Sequence, residues 1–144
     1  MATVFDVARY ILNKKGRMTT AKLQKLVYYC QAWSLVWDEE PIFDEKIEAW
    51  ANGPVVPALF RHHKGRFFIA SRDIQNGKTR NLTKSEKKTI DAVLSHYGDK
   101  TAQWLIDLTH LEDPWKNARY DCSPGDRCDR EISHADMMDY YSGL

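Results

Sequence analysis

Residues 19–57 read TTAKLQKLVYYCQAWSLVWDEEPIFDEKIEAWANGPVVP, and this stretch decides how the rest of the chain folds. It predicts, in order, an amphipathic helix rich in aromatic residues, a short acidic extended segment, and a Gly-Pro turn that starts another helix. Thr19 is placed to cap the first helix and Pro41 to stop it. Helical spacing predicts one apolar face, made of Leu23, Leu26, Val27, Cys30 and Trp33.

Polar residues of the same helix, namely Gln24, Lys25 and Gln31, fall off that apolar face. In the turn, Gly53 is placed for a positive φ, and Pro54 fits the first turn of the helix that follows. No part of the stretch arranges groups as a reaction would require. It is typical of a scaffold that carries a binding surface.

Capping residues and apolar periodicity predict further helices on both sides of this stretch. A stripe from Val4 to Leu12 predicts the first helix, and N-caps at Thr83, Asp113 and Ser133 predict three more. The spacing of Trp104, Leu105 and Leu108 predicts another short helix over residues 101–109. Residues 66–81 lack a helical period, and Asn76-Gly77-Lys78 favours a small β-hairpin there. We therefore expect a mainly α, compact single domain over residues 1–144, with about six to eight short helices and a minor β-hairpin or extended segment.

The composition is that of a globular protein without a strong overall charge. The 144 residues carry a formal net charge of +1, which gives no general attraction to nucleic acid or to a membrane. The charges are nevertheless segregated into an acidic segment, residues 38–48, and a basic segment, residues 61–88. The absence of a signal sequence and of a long apolar run predicts a cytoplasmic protein, in which three free cysteines are the default.

Candidate chemistry in the sequence is weak. A zinc site could be drawn from His110, Cys122, Cys128 and His134, but the spacing between the two cysteines exceeds the usual pairs of structural zinc sites. Cys30 lies on an apolar stripe, and neither of the other two cysteines precedes a turn suited to an oxyanion hole. No phosphate-binding or metalloprotease motif occurs. We expect no catalytic residue, no metal and no cofactor.

Two kinds of binding remain as alternatives. Residues 16–23 resemble the turn and second helix of a helix-turn-helix motif, yet Tyr28, Tyr29, Trp33 and Trp37 are bulkier than a base-reading helix needs. Five Trp and seven Tyr exceed the needs of one small core and favour a protein interface. Tyr28, Trp37, Trp50 and residues 140–141 are the aromatic candidates for that surface.

Five motifs in a fixed order now resemble a known family: LQKLVYY at residues 23–29, AW at 32–33, PIF at 41–43, IEAW at 47–50 and GPVVP at 53–57. This order is similar to that of the Panacea domain, a SocA-like or GepA-like phage-associated family. The resemblance runs from Val4 to Tyr141 and is densest from Leu23 to Pro57. A lone GPVVP would be unspecific, but the ordered set is not.

The resemblance implies a mainly helical antitoxin domain that binds a cognate toxin protein directly, without enzymatic activity or an obligatory cofactor. A host protease or chaperone is open as a second partner, and a DNA-binding transcriptional regulator or a phage-associated adaptor is the alternative function. The candidate partner-binding surface comprises Tyr28, Trp37, Trp50, Gly53, Pro54, Val55 and Val56. The acidic and basic segments are expected to form a charged rim around it.

Overall fold

One long helix lies at the centre of the protein, with the other elements packed around it. The computed structural model describes residues 1–144. The helices are α1 (Val4–Lys15), α2 (Thr20–Trp37), α3 (Pro57–His63), α4 (Lys84–Tyr97), α5 (Ala102–Leu111), α6 (Asp113–Ala118) and α7 (His134–Ser142). The strands are β1 (Met18–Thr19), β2 (Glu48–Trp50), β3 (Gly53–Val55) and β4 (Phe68–Ile69), and two 3-10 helices span Ser71–Asp73 and Thr79–Asn81.

The prediction of a mainly α fold with a minor β element is confirmed by these seven helices and two small antiparallel sheets. Thirty-three buried residues between Ala2 and Tyr141 form one hydrophobic core. The predicted N-caps Thr19, Thr83 and Ser133 each accept a hydrogen bond from a backbone N–H in the first turn of their helices, and Thr101 does the same for α5. The predicted N-cap Asp113 is wrong, because Glu112 occupies that position and Asp113 is the first residue of α6. No helix combines the length and the apolar character that crossing a membrane requires.

Helix α2 is buried on more than one face, which the apolar stripe did not predict. It packs against α1, α4, α5 and α7, so residues beyond the stripe are also enclosed. The polar side chains of Gln24, Lys25 and Gln31 are 2%, 2% and 0% exposed. Each therefore needs hydrogen-bond partners inside the protein.

The predicted hairpin within residues 66–81 is wrong. Strand β4 instead pairs with β1, with Met18 opposite Ile69, and the remainder of the segment packs against α1. Arg9 Nη1 donates hydrogen bonds to the carbonyl oxygens of Ile74 and Gly77, 3.0 and 3.4 Å away. These contacts with α1 satisfy backbone carbonyls that a hairpin would have paired within the segment itself.

A hairpin does form earlier in the chain, where a helix start was expected. Strands β2 and β3 are antiparallel, with Glu48 opposite Val55 and Trp50 opposite Gly53. Pro54 therefore lies in a strand, and α3 begins at Pro57, a proline that occupies the tolerated first helical position. Pro54 has no N–H to donate, its carbonyl oxygen accepts from Lys25 Nζ, and the opposite Ala49 N–H donates to Arg130 O at 2.8 Å. A proline is therefore tolerated at this position of the strand.

A buried carboxylate joins the start of α1 to the segment that replaces the expected hairpin. Asp6, 1% exposed, accepts hydrogen bonds from Thr3 N at 2.8 Å, Lys78 N at 2.7 Å and Asn81 Nδ2 at 3.3 Å. Asp6→Ala should lower the free energy of unfolding by about 2–4 kcal/mol, because it leaves several donors without an acceptor.

Glu86→Ala is the matched control for Asp6→Ala in urea denaturation. Glu86 has the same position in the capping box of α4, where it accepts only from Thr83 N at 2.8 Å on an exposed surface. Its loss should cost about 0.5–1 kcal/mol. Equal costs for the two variants would show that the contacts of Asp6 with Lys78 and Asn81 contribute nothing.

Candidate functional site

A groove of about 810 Å³ opens between the N-terminal part of α2, the β2–β3 hairpin, α3 and the loop at residues 121–131. This volume lies within the range of pockets that bind ligands in proteins. Its apolar wall includes Trp50, Val55 and Phe60. The charged side chains that line it are Lys25, Glu48, Arg61, Lys64, Arg127 and Asp129.

Gln24 fixes the start of α3 beside the groove. Its Oε1 accepts a hydrogen bond from Val56 N at 2.9 Å, and its Nε2 donates to Val56 O at 3.4 Å and to His63 Nε2 at 3.0 Å. Val56 is the N-cap of α3 and has no capping side chain, so Gln24 satisfies this backbone from α2. Burial lowers the pKa of His63, consistent with a neutral ring whose Nε2 accepts from the amide.

Lys25 lies at the floor of the groove. Its Nζ donates a hydrogen bond to Pro54 O at 3.1 Å, and it takes part in no ion pair within 4.0 Å. Burial lowers its pKa from 10.5 to about 7. An uncompensated buried lysine is costly, which makes this residue the least expected feature of the site.

Gly53 allows the hairpin to close over Lys25. Its φ is +107°, and a Cβ at this position would lie 2.7 Å from Lys25 Cε and 3.0 Å from Thr109 Oγ1. The predicted positive φ is therefore confirmed, and the close approach adds a second reason for glycine.

Gly53→Ala should lower the free energy of unfolding by about 2–5 kcal/mol, combining backbone strain with a forced shift of a buried side chain. Gly65→Ala is its control, because Gly65 has a φ of +88° and would bring its Cβ within 4 Å of nothing. Thermal unfolding of both variants separates the two contributions. Equal losses would mean that the approach to Lys25 is not tight.

Trp50 is held in a fixed orientation at the wall of the groove. Its ring packs edge-on against Phe60, with the centroids 4.8 Å apart, and its Nε1 donates to Glu48 Oε1 at 2.8 Å. Its carbonyl oxygen accepts from Trp115 Nε1 at 2.8 Å. A half-buried, pre-oriented indole of this kind is a frequent anchor of protein interfaces.

The loop at residues 121–131 forms the opposite wall and is tied to the hairpin. Arg119, 5% exposed, donates to Ala49 O at 2.8 Å, Ser123 O at 3.1 Å and Asp126 O at 2.7 Å. Cys122 and Cys128 are paired as a disulfide in this structure, whereas the sequence predicts free thiols in a reducing compartment. The two cysteines are six residues apart on one tight loop, so the conformation of this loop alone brings their sulfur atoms together.

Neither the remaining cysteine nor the histidines form a reactive cluster with that loop. Cys30 is free and buried, and burial raises its pKa, which opposes formation of a nucleophilic thiolate. No group of three or more His, Cys, Asp or Glu side chains is placed to hold a metal ion. His110 instead stacks on Trp115, with ring centroids 4.0 Å apart.

The structure brings together only part of the predicted partner-binding surface. Trp50 and Val55 line the groove. The buried Gly53 and Pro54 contact Lys25, and the buried Val56 is hydrogen-bonded to Gln24, two residues that line it. These five predicted residues therefore lie in the groove or directly against its lining.

The two other predicted residues lie elsewhere. Tyr28 is 1% exposed and its hydroxyl lies 2.9 Å from that of Tyr141, so its prediction as a surface residue is wrong. Trp37 is 50% exposed and stacks on Trp33, but it lies about 18 Å along α2 from Lys25. It could contact a partner only at a separate place.

The acidic segment does not surround the groove as a rim. Asp38 Oδ2 accepts from the hydroxyls of Ser85 and Thr89, and Glu45 Oε1 accepts from Val4 N, so these carboxylates hold neighbouring helices. Of the acidic segment, Glu48 lines the groove itself, and Asp44 and Glu45 line a smaller cleft beside it that shares Glu48, Pro57 and Arg61 with the groove. The acidic segment therefore borders the groove on one side only. Basic residues form most of its charged border. No local pattern in the sequence identifies Lys25 or Arg127 as members of it.

Comparison with known proteins places these features in a family. The model of the family described as antitoxin SocA-like, Panacea domain, matches residues 23–116, which include the groove's floor, hairpin and α3. Searches of curated proteins and of solved structures gave no significant match. The family match covers more than half of the chain and agrees with the resemblance of the five ordered motifs. The chain belongs to the SocA-like antitoxin family and contains its Panacea domain.

Proposed function

We propose that this chain neutralises a cognate protein toxin by binding it directly, without turning over a substrate, and that the groove beside Trp50 is the main contact. Membership of an antitoxin family supports the role and implies a toxin as partner. The observation that carries the direct-binding step is the groove itself. It combines a pre-oriented indole, an apolar wall and a charged border, as protein interfaces do.

A DNA-binding role has less physical support. Helix α2, which would be the recognition helix of a helix-turn-helix motif, has most of its residues buried against four other helices. It cannot enter a major groove without unfolding the core. The net charge of +1 gives no general attraction to phosphates that would compensate.

The proposal includes the cytoplasmic location predicted from the sequence. In a reducing compartment Cys122 and Cys128 would be present as thiols. The loop would keep the hydrogen bonds that Arg119 donates to Ser123 O and Asp126 O, because these do not depend on the sulfur atoms. The wall of the groove is thus supported in both redox states.

The proposal is tested by co-expressing this chain with the neighbouring open reading frame. We expect the neighbour alone to arrest growth, and the pair to grow and to co-purify as a stable complex. Trp50→Ala should weaken rescue and co-purification, because truncating an interface anchor costs about 2 kcal/mol or more of binding free energy.

Trp104→Ala is the matched control, since Trp104 is 43% exposed on α5 and lies outside the groove. Thermal unfolding of both variants checks that they are folded. Rescue by Trp50→Ala at the wild-type level, with Trp104→Ala equally active, would remove the groove from the account. A harmless neighbour that does not co-purify would contradict neutralisation by this pair.

A further inference from the structure

We propose that the groove accepts an acidic side chain of the toxin, which pairs with Lys25 at the floor while a neighbouring apolar side chain packs against Trp50 and Phe60. This inference rests on the proposed function and specifies the chemistry of the partner. It assigns to Lys25 a role in recognition.

The charges around the groove favour a carboxylate. Four cationic side chains line it, those of Lys25, Arg61, Lys64 and Arg127, and none of them is in an ion pair within 4.0 Å. The two acidic side chains are Glu48 and Asp129. Glu48 already accepts the hydrogen bond of the Trp50 indole. The excess of unpaired cations attracts an acidic segment and disfavours a basic one.

Lys25 has hydrogen-bonding capacity that such a partner would use. A protonated lysine has three N–H donors, and only Pro54 O accepts from Nζ in this structure, at 3.1 Å. The side chain is 2% exposed and nevertheless lines the cavity. A carboxylate entering the groove would supply the acceptor and the counter-charge that the ammonium group lacks, and charge-assisted hydrogen bonds of this kind are strong.

Pairing at Lys25 should be accompanied by proton uptake. Burial lowers the pKa of this lysine to about 7, so a large fraction is neutral above that pH. A bound carboxylate favours the protonated form and raises the pKa again. Binding then takes up a proton above pH 7, and affinity falls as the pH rises, by nearly tenfold between pH 7.5 and 8.5.

Two histidines and two carboxylates also lie near Lys25. The histidines keep one charge state between pH 7.5 and 8.5, and comparison with a Lys25 variant controls for the carboxylates. His63 on α3 and His110 on α5 lie close enough for the charge of Lys25 to lower their pKa values, which are also lowered by burial. Both rings are therefore neutral above pH 7.5. Glu48 on β2 and Asp129 in the loop line the same groove. Their contributions are shared by the wild type and a Lys25 variant.

The first test measures the Kd between the purified chain and the toxin encoded by the neighbouring gene, from pH 7.0 to 9.0. Lys25→Met keeps the length and apolar stem of the side chain and removes its charge. We expect the wild type to lose nearly tenfold in affinity between pH 7.5 and 8.5, and Lys25→Met to bind at least tenfold more weakly at pH 7.0 with a flatter profile. Parallel profiles and equal affinities would overturn the inference while leaving the antitoxin function intact.

The second test does not need the toxin. Phenylacetate carries a carboxylate beside an aromatic ring, and 2-phenylethanol is its uncharged counterpart. In an NMR titration followed at the Trp50 indole N–H, we expect phenylacetate to bind the wild type at pH 6.5 with a Kd on the order of 5–10 mM. We expect no saturable binding of 2-phenylethanol, and none of phenylacetate to Lys25→Met.

The two tests distinguish the two ways of failing. If the toxin does not bind the chain at all, the proposed function fails for that pair, and the phenylacetate titration decides whether the groove is a carboxylate site. Equal shifts with phenylacetate and 2-phenylethanol, or no shift with either, would overturn the carboxylate site.

Discussion

Lys25→Met should raise the free energy of unfolding at pH 6 by about 2–4 kcal/mol, which makes it a stabilising change at the floor of the groove. Holding a lysine whose pKa is lowered from 10.5 to about 7 costs the folded state about 5 kcal/mol when the group is charged. Methionine avoids this cost but leaves Pro54 O without the donor Nζ. The lost hydrogen bond destabilises the variant by about 1–3 kcal/mol. The net effect is a gain.

The pH dependence of stability provides the signature of this lysine. Between pH 7 and 10.5 the unfolded chain keeps the proton on Lys25 while the folded chain releases it, so the wild type becomes more stable as the pH rises. We expect the wild type to gain about 1.4 kcal/mol per pH unit between pH 7.5 and 9, measured by urea denaturation. Lys25→Met should show no such rise, and a parallel rise in both proteins would contradict the burial of a neutral lysine.

Glu112→Ala should lower the free energy of unfolding by about 3–5 kcal/mol, because a buried acceptor is lost from the core. Glu112 is 5% exposed, and its Oε1 accepts hydrogen bonds from the hydroxyls of Tyr29 and Tyr141, both at 2.7 Å. Since Tyr141 donates to Glu112, the contact of 2.9 Å between the hydroxyls of Tyr28 and Tyr141 has Tyr28 as donor. One carboxylate thus orders three tyrosines on α2 and α7.

Two other glutamate variants calibrate that loss. Burial raises the pKa of Glu112, while the hydrogen bonds from Tyr29 and Tyr141 oppose the rise. Glu112→Gln keeps an acceptor oxygen and should cost only about 1–2 kcal/mol. Glu131→Ala removes an exposed glutamate and should change stability by less than about 0.5 kcal/mol. If Glu112→Ala were as mild as Glu131→Ala in the same denaturation series, the tyrosine network would not stabilise the fold.

The helices could be predicted from the sequence because their signals are local. Thr19, Thr83 and Ser133 each lie at a position where a side-chain oxygen can accept from the first turn, and the structure uses them in that way. The apolar stripe of α2 likewise identifies one of its buried faces. The ordered motifs of residues 23–57 then indicated the family.

What could not be predicted depends on contacts between distant residues. A periodicity argument assigns polar residues such as Gln31 to solvent, yet its Oε1 accepts from Ile42 N at 2.8 Å and its Nε2 donates to Phe43 O at 2.7 Å. The pairing of Met18 with Ile69 likewise joins residues that no local pattern relates. Pro54 is predicted in a helix but lies in a strand, because proline fits both a first helical turn and an edge strand.

In the groove, too, residues with a local sequence signal could be predicted and residues defined by long-range contacts could not. Trp50 and Gly53 stand out in the sequence as an aromatic surface candidate and a turn glycine. Trp50 lines the groove, and Gly53 lies against Lys25 at its floor. Lys25 and Arg119 are buried basic side chains that donate hydrogen bonds to backbone carbonyls of remote segments. No spacing rule identifies such residues, because the carbonyls they bind are present at every position of the chain.

Hydrogen–deuterium exchange of the chain with and without the toxin from the neighbouring gene tests the central claim most directly, that neutralisation occurs through the groove. Binding there should slow exchange in peptides covering residues 48–64 and 125–129, which form its walls. The face of α5 that carries Trp104 should exchange at the same rate in both states. Protection confined to α5 or to the region of Trp37, with residues 48–64 unchanged, would contradict the account.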